Sequence, residues 1–352
     1  MIDESPLIRA AQTAGASPVL AEQGVAHFGD PAGEYLALTQ RLGVVDLGCR
    51  TRIELKGDDR LTFLNNFCTN DVRKLEPHRG CEAFLTSVQG RTLGHLLILC
   101  RDESLLLETG PGQAERVITH LDKYLIREDV RIVDRSGEIA ELLVAGPQAA
   151  RQLGELGLGR LPAGRLEGVT SQLAGTPAEL IRVDFAGPDG FLLFCPGDDA
   201  LKICRRLIEA GATACGQNAL ETVRIESGWP MFGRDFDDQN LPQEIARDAA
   251  AISFTKGCYL GQETVARLDA LGHVNRTLVG VRFDQAKVPD VPLDLMADGK
   301  SRGQLTSVIF SPKLAAPLGL ALVHSSYNRP GSRLESHAGT AEVIDLPVNK
   351  AD

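Results

Sequence analysis

The sequence predicts an α+β protein: two related modules followed by a small C-terminal β-barrel. Three observations predict it. Alternating, strand-length segments interleave with amphipathic helices over the first two-thirds of the chain. Those elements recur at an offset of 86 to 89 residues, the mark of an internal duplication. From Thr277 onward the chain turns strand-rich, with regularly spaced turn residues. Boundaries near residues 135 and 270 follow, giving an N-terminal module (1–135), a second module (136–270) and the barrel (271–352).

In chain order, Tyr35 to Leu42 reads as a short helix running into GVVDL. Thr51–Lys56 alternates, with Ile53 and Leu55 on one face, as a half-buried strand does. Gly57 ends it, and Asp58 or Asp59 can cap a helix carrying Leu61, Leu64 and Phe67. Strands are expected at Ala83–Thr86, His95–Cys100 and Ser104–Glu108. A helix with Ala114, Val117, Ile118, Leu121 and Leu125 at helical spacing comes next. The second module repeats this grammar. Glu141–Ala145 is a strand, Gly146-Pro147 the break, and Ala149, Ala150 and Leu153 open a helix. FLLFCPG then leads into a helix whose Ala200, Ile203, Cys204 and Leu207 fall on Ala114, Val117, Ile118 and Leu121. Chance likeness between two ordinary strand–helix units is the competing reading; spacing, turn residues and core positions together favour duplication. In the third region LVGVRF, Gly303–Phe310 and Leu318–His324 are strands, with Asp298-Gly299 as a hairpin turn. A helix around Leu220–Ile225 precedes the KGCYLGQE stretch.

Composition bounds the function. The chain has 352 residues, 43% hydrophobic and 24% charged, which is ordinary for a globular protein. A net charge of −10 argues against a surface that tracks phosphates, so no direct nucleic-acid partner is expected. The first residues carry acids early and lack a basic and then a long apolar stretch, so neither a secretory nor a transit signal is expected. No apolar run reaches bilayer-spanning length. The eight cysteines are scattered without a CxxC pair. They read as reduced thiols of a cytoplasmic protein, with no metal site.

Two stretches carry candidate chemistry. In KGCYLGQETVAR, Cys258 stands between Gly257 and Gly261, with Lys256 two residues before it and Gln262, Glu263 and Arg267 after it. Lysine beside a thiol favours the thiolate, and the glycines shape a sharp turn. The competing reading is a small buried cysteine in a loop. A Cys258–His273 nucleophile pair is conceivable, but nothing in the spacing favours it. The second stretch, ETVRIESGWPMFGRDFDDQNLPQE, sets Arg224 and Glu226 at a helix end before turns at Gly228, Pro230 and Gly233. A buried glutamate there could accept two N–H donors from a flat heterocycle such as a pterin. A capping or solvated acid is the alternative.

The combination of RIESGWPMFGRD, Pro242-x-Glu244 and KGCYLGQETVAR resembles the YgfZ family of tetrahydrofolate-binding proteins. These are relatives of the glycine-cleavage T-protein, an aminomethyltransferase. The likeness covers nearly the whole chain. It includes GVVDLGCRTRIELKGDDRLTFLNNFCTND, TSVQGRTLGHLLIL and, in the C-terminal region, GQLTSVIFSPKLAAPLGLALV. The resemblance implies a three-domain T-protein-like fold with a folate channel, and tetrahydrofolate or a one-carbon derivative as cofactor. The pterin would be held by Glu226, with Arg224, Lys256, Gln262 and Arg267 as further binding residues and Cys258 as the functional thiol. It also implies a folate-dependent role in assembly or repair of iron–sulfur enzymes and in tRNA modification, with iron–sulfur client or assembly proteins as partners.

Two departures bear on enzymic activity. T-proteins place a catalytic aspartate in the segment matching Gln89 to Leu97, which here reads QGRTLGHLL, without a carboxylate. Their DxSH pattern is altered to Asp46-Leu47-Gly48-Cys49. Folate binding can survive both changes. Aminomethyl transfer would need a substitute acid, for which Asp71 and Glu82 are the candidates. A non-catalytic scaffold retaining the groove is a third reading. The duplicated modules suggest a closed monomer.

Overall fold

The structure is a computed structural model and describes residues 5–21, 24–187, 189–272 and 274–348. His273 lies outside them. Helix α1 (Pro6–Thr13), the pair β1 (Val19–Ala21) and β2 (Gly24–His27), helix α2 (Pro31–Gln40) and strand β3 (Gly43–Asp46) come first. The first module is β4 (Thr51–Lys56), α3 (Arg60–Asn65), β5 (Gly80–Thr86), β6 (Thr92–Cys100), β7 (Ser104–Thr109), α4 (Ala114–Asp122) and β8 (Arg131–Asp134). The second is β9 (Ile139–Ala145), α5 (Ala149–Glu155), β10 (Gly168–Leu173), β11 (Thr176–Val183), β12 (Gly190–Pro196), α6 (Ala200–Glu209) and β13 (Thr213–Cys215).

The duplication is written into the sheets. One orders its strands β5-β6-β7-β4-β8; the other runs β10-β11-β12-β9-β3-β13, the same order in the same module positions. The difference lies at one edge. In the first sheet β8 pairs directly with β4, Ile53 opposite Asp134. In the second, β3 takes that place against β9, Val44 opposite Val144, and β13 adds to it in parallel. Gly57 and Gly146 mark the equivalent turn in each module, at φ +110° and +113°. A Cβ would lie 2.0 Å from the Asp129 carbonyl oxygen at the first and 2.5 Å from that of Arg41 at the second. Only glycine fits either position. The helices keep the expected faces: α4 buries Val117 and Leu121, α6 buries Ala200, Ile203, Cys204 and Leu207. Helix α4 ends at Asp122, so Leu125 lies beyond it.

After the modules come α7 (Gln217–Glu226), α8 (Asp248–Ala251) and α9 (Gln262–Leu271). The barrel strands are β14 (Arg276–Phe283), β15 (Leu293–Ala297), β16 (Lys300–Ser311), β17 (Ala316–His324), β18 (Arg333–Ser336) and β19 (Gly339–Ile344). The barrel closes in the order β14-β17-β16-β15-β18-β19. Asp298 and Gly299 join β15 to β16 with φ of +51° and +70°. Two positive φ values are what a two-residue hairpin needs to match strand twist.

The chain forms two compact units. One comprises Met1–Arg60, Leu75–Gly80 and Leu97–Val223; the other comprises Leu61–Lys74, Cys81–Leu96 and Arg224–Asp352. The first is built on a core that includes Leu142, Val144, Phe191, Leu193, Ile203 and Leu207. The second has a barrel interior around Val281, Phe283, Leu295, Leu305 and Val323, and another cluster around Phe84, Ile225, Phe236, Ile245 and Leu318. Each such fully buried side chain contributes roughly 2 kcal/mol.

Candidate functional site

Every residue the sequence singled out for binding or catalysis falls in the second unit. Glu226 is the last residue of α7 and is 1% exposed. Ser311 donates its hydroxyl to Glu226 Oε1 at 2.5 Å, and Lys313 Nζ stands 3.3 Å from Oε2. The Val348 amide donates to its backbone carbonyl at 2.8 Å. A buried carboxylate beside a hydroxyl and an ammonium is thus fixed at the helix end.

Arg224, two residues earlier on α7, has a different occupation. Its Nη1 donates to Asp235 Oδ2 at 2.7 Å and to the Trp229 carbonyl at 2.6 Å, and its Nη2 donates to Ser307 Oγ at 3.0 Å. Ser307 and Thr306 in turn donate to Asp235 Oδ1. Both charges are essentially sealed, at 3% and 0% side-chain exposure. Arg224 therefore ties α7 to strand β16.

The cysteine segment is pinned at both ends. The Ser253 amide donates to the Thr69 carbonyl, the Leu260 amide to that of Asn66, and the Thr86 hydroxyl to that of Leu260. Lys256 is buried, and its Nζ donates to the carbonyls of Asn65, Cys68 and Asn70, each at 2.7 Å. Burial draws its pKa below the ordinary value. This corrects the expectation that Lys256 attends the Cys258 thiol: its three donors hold the 65–70 loop. The cation beside the turn is Arg73, whose Nη2 would lie 3.2 Å from a Cβ on Gly257. Cys258 itself is exposed. Gly261 precedes α9 at φ +79°, where a Cβ would come 2.3 Å from the Ser87 carbonyl oxygen. Gln262 is half-buried at the start of α9, and Glu263 and Arg267 are exposed on it.

The sequence did not disclose a charged cluster beside these residues. Glu82, wholly buried, accepts from Arg247 Nε at 2.8 Å and Nη2 at 2.6 Å. Its Oε1 also lies 2.8 Å from His95 Nε2. Burial alone would raise the Glu82 pKa, but the bonds from Arg247 and His95 outweigh it and hold the carboxyl far below the usual range. The His95 ring stacks on Phe84 at 5.0 Å and faces Trp229 at 5.2 Å. Arg247 sits 4.6 Å over the same indole. Asp71, the other candidate acid, faces Lys74 at 3.1 Å and Arg73 at 3.9 Å. Glu82 and His95 are separated by 13 residues and lie on adjacent strands, β5 and β6; only strand pairing could have announced their contact.

Among the described residues, no helix is long and apolar enough to cross a membrane. Compared with known proteins, residues 25–256 match the GCVT N-terminal domain and residues 276–349 the glycine cleavage T-protein C-terminal barrel domain. The aminomethyltransferase of Geobacillus kaustophilus is 30% identical over 311 residues, covering 86% of this chain and 84% of the relative. That of Bacillus subtilis is 28% identical over 324 residues, covering 90% and 86%. The crystal structure of glycine cleavage system aminomethyltransferase T from Bartonella henselae superposes with a TM-score of 0.86 at 20% identity, over 97% of both chains, a likeness of fold. With two-domain matches that together span most of the sequence, the chain belongs to the glycine-cleavage T-protein family.

Proposed function

We propose that the chain binds a tetrahydrofolate and acts on a one-carbon unit, in the manner the name aminomethyltransferase describes for its relatives. The observation that carries the reading is the buried Glu226 carboxylate with Ser311 and Lys313 beside it. A pterin edge offers adjacent N–H donors and a carbonyl acceptor. The carboxylate suits the donors, and the ammonium suits the acceptor. Glu226 would hold the heterocycle, with Lys313, a third exposed, as its adaptable neighbour. The folate supplies the acceptor for the one-carbon unit when bound.

The Gln89–Leu97 segment has no carboxylate of its own, yet Glu82 brings one to His95 within it. Of the two candidate acids, Glu82 is the buried, doubly held one, so it is the better substitute for a fixed negative charge. The test has two parts. Tetrahydrofolate is titrated into wild type, Glu226→Ala and Cys258→Ser; wild type and Cys258→Ser should bind, and Glu226→Ala should not. Ammonia release from a methylamine-loaded carrier protein is then measured with and without tetrahydrofolate. Release that depends on the folate supports transfer; binding without release removes it. If none of the three proteins binds, a scaffold that has lost its ligand is the better account.

A finer reading is favoured by a separate observation. Cys258 is exposed on a loop whose flanks are hydrogen-bonded into place. With the KGCYLGQE stretch, this supports a YgfZ-type cytoplasmic protein that maintains iron–sulfur client enzymes, tRNA-modifying ones among them, through that thiol. Here Cys258→Ser should bind tetrahydrofolate normally but fail to restore iron–sulfur enzyme activity in cells lacking the protein. Full restoration would sink this reading and leave the first intact.

A further inference from the structure

The first unit contains a cavity of about 1090 Å³, at the upper end of the roughly 300–1,000 Å³ that small-molecule pockets occupy. Its described lining residues all belong to that unit, so it shares none of them with the candidate site. The floor is apolar: Leu7, Ile8, Val25, Phe28 and Leu142 line it and are also part of the unit's core. The mouth is polar and open, with Gly48, Cys49, Glu138 and Asp198 all exposed. A buried apolar floor beneath an open polar mouth suits a ligand with an apolar body and one polar end.

The charges decide which polar end. Among the described lining residues the carboxylates are Asp46, Glu138 and Asp198, and the one cation is Arg52. Arg52 is wholly buried, and its Nη atoms donate to Glu141 and to the carbonyls of Leu47, Gly48 and Ser136. It therefore presents no exposed charge at the mouth. Asp46 is fixed in place by bonds from Ser5 and from the Gly48 amide. Glu138 shares Arg135 with Glu54, while Asp198 stands exposed beside the start of α6. Helices α1, α6 and α7 also begin at this wall, and an N-terminus carries about half a positive charge. Three such ends fall short of three carboxylates, and Ser5 already meets the Ile8 amide of α1. We propose that this cavity is a binding site for a small organic ammonium compound. Its apolar body lies against Val25 and Phe28, and its cation meets the carboxylates of Asp46, Glu138 and Asp198. The assignment is independent of the folate reading.

The probe is phenethylammonium, with 2-phenylethanol and 3-phenylpropanoate as its neutral and anionic counterparts. Saturation-transfer NMR on each compound reads binding to the full chain. Its place is read by the rate at which maleimide alkylates Cys49 at the cavity mouth, followed by peptide mass spectrometry. Cys258, exposed in the second unit, is the internal control. Phenethylammonium should bind, slow Cys49 several-fold at saturation and leave Cys258 unchanged. The neutral compound should bind about tenfold more weakly, the sum of three partly solvated ion pairs, and the anion not at all. Asp198→Asn changes only an exposed side chain and should weaken phenethylammonium about two- to fivefold, with the urea midpoint unmoved. Equal binding of the three compounds, unaltered affinity in Asp198→Asn, binding without protection of Cys49, or no binding by phenethylammonium overturns the assignment.

Discussion

Replacing Glu82 with glutamine tests whether the cluster's charge stabilises the second unit. The substitution keeps shape and one acceptor oxygen but sets an N–H₂ group among donors. Arg247 loses a charge-assisted bond, worth about 1.5–3 kcal/mol, and a buried donor is left unmatched at about 1–3 kcal/mol. Removing one partner of a buried pair costs about 3–5 kcal/mol. Arg247 retains 19% side-chain exposure, so water recovers part of its solvation and the lower end, about 3 kcal/mol, is expected. Urea unfolding followed by Trp229 fluorescence reads the cluster directly, since that indole contacts both His95 and Arg247. The sign of the pH dependence follows from the depressed Glu82 pKa. The folded state binds its proton less readily than the unfolded chain. The contribution is therefore complete above the unfolded value of about 4.3 and is lost as pH falls below it, by up to about 1.4 kcal/mol per pH unit. Wild type and Glu82→Gln should differ by about 3 kcal/mol at neutral pH and converge toward pH 3. A difference below about 1 kcal/mol at neutral pH, or one that stays constant into acid, would refute the reasoning.

Three further outcomes follow from the cysteine segment. Lys256→Met strips a donor from three carbonyls, and with relief of the ammonium's burial the net loss should be about 3 kcal/mol by urea unfolding. Because the Lys256 pKa is lowered in the folded state, the unfolded chain binds more protons just below about pH 10.4, so wild-type stability attributable to this group rises toward that pH. A flat or falling difference would contradict it. Gly261→Ala should cost at least about 2 kcal/mol, since its Cβ meets the Ser87 carbonyl and the backbone at Gly90. Gly272→Ala, also at positive φ but with nothing within 4 Å, should cost about 1 kcal/mol; equal losses would remove the steric argument. Under limiting maleimide, Cys258 should label first and Cys49 second. Both are exposed, but burial pushes the Cys49 thiol up, while Cys68, Cys100, Cys195, Cys204 and Cys215 are buried. Mass spectrometry of peptides gives the order, and early labelling elsewhere would overturn it.

Much of the architecture was legible because it is set by local pattern. Period-two and period-3.6 sequence patterns drew the strands and helices, although β4, which reads as half-buried, is buried on both faces from Thr51 to Leu55, and Gly57 and Gly146 announced equivalent turns because no side chain fits there. Asp298-Gly299 announced its hairpin for the same kind of reason. The insertion of β3 between β9 and β13 was not legible, since a sheet edge accepts any strand of suitable length and burial.

The site divides in the same way. By itself the sequence determined that Glu226 ends a helix before a forced turn and that Cys258 lies in a glycine-framed loop, both being matters of neighbouring residues. Which charges meet was decided by tertiary structure alone. Arg247 reaches Glu82 across 165 residues of chain, Arg224 reaches Ser307 across 83, and Lys256 turns to the 65–70 loop. A buried charge takes whichever partner packing brings within about 3 Å, and sequence spacing does not encode that distance.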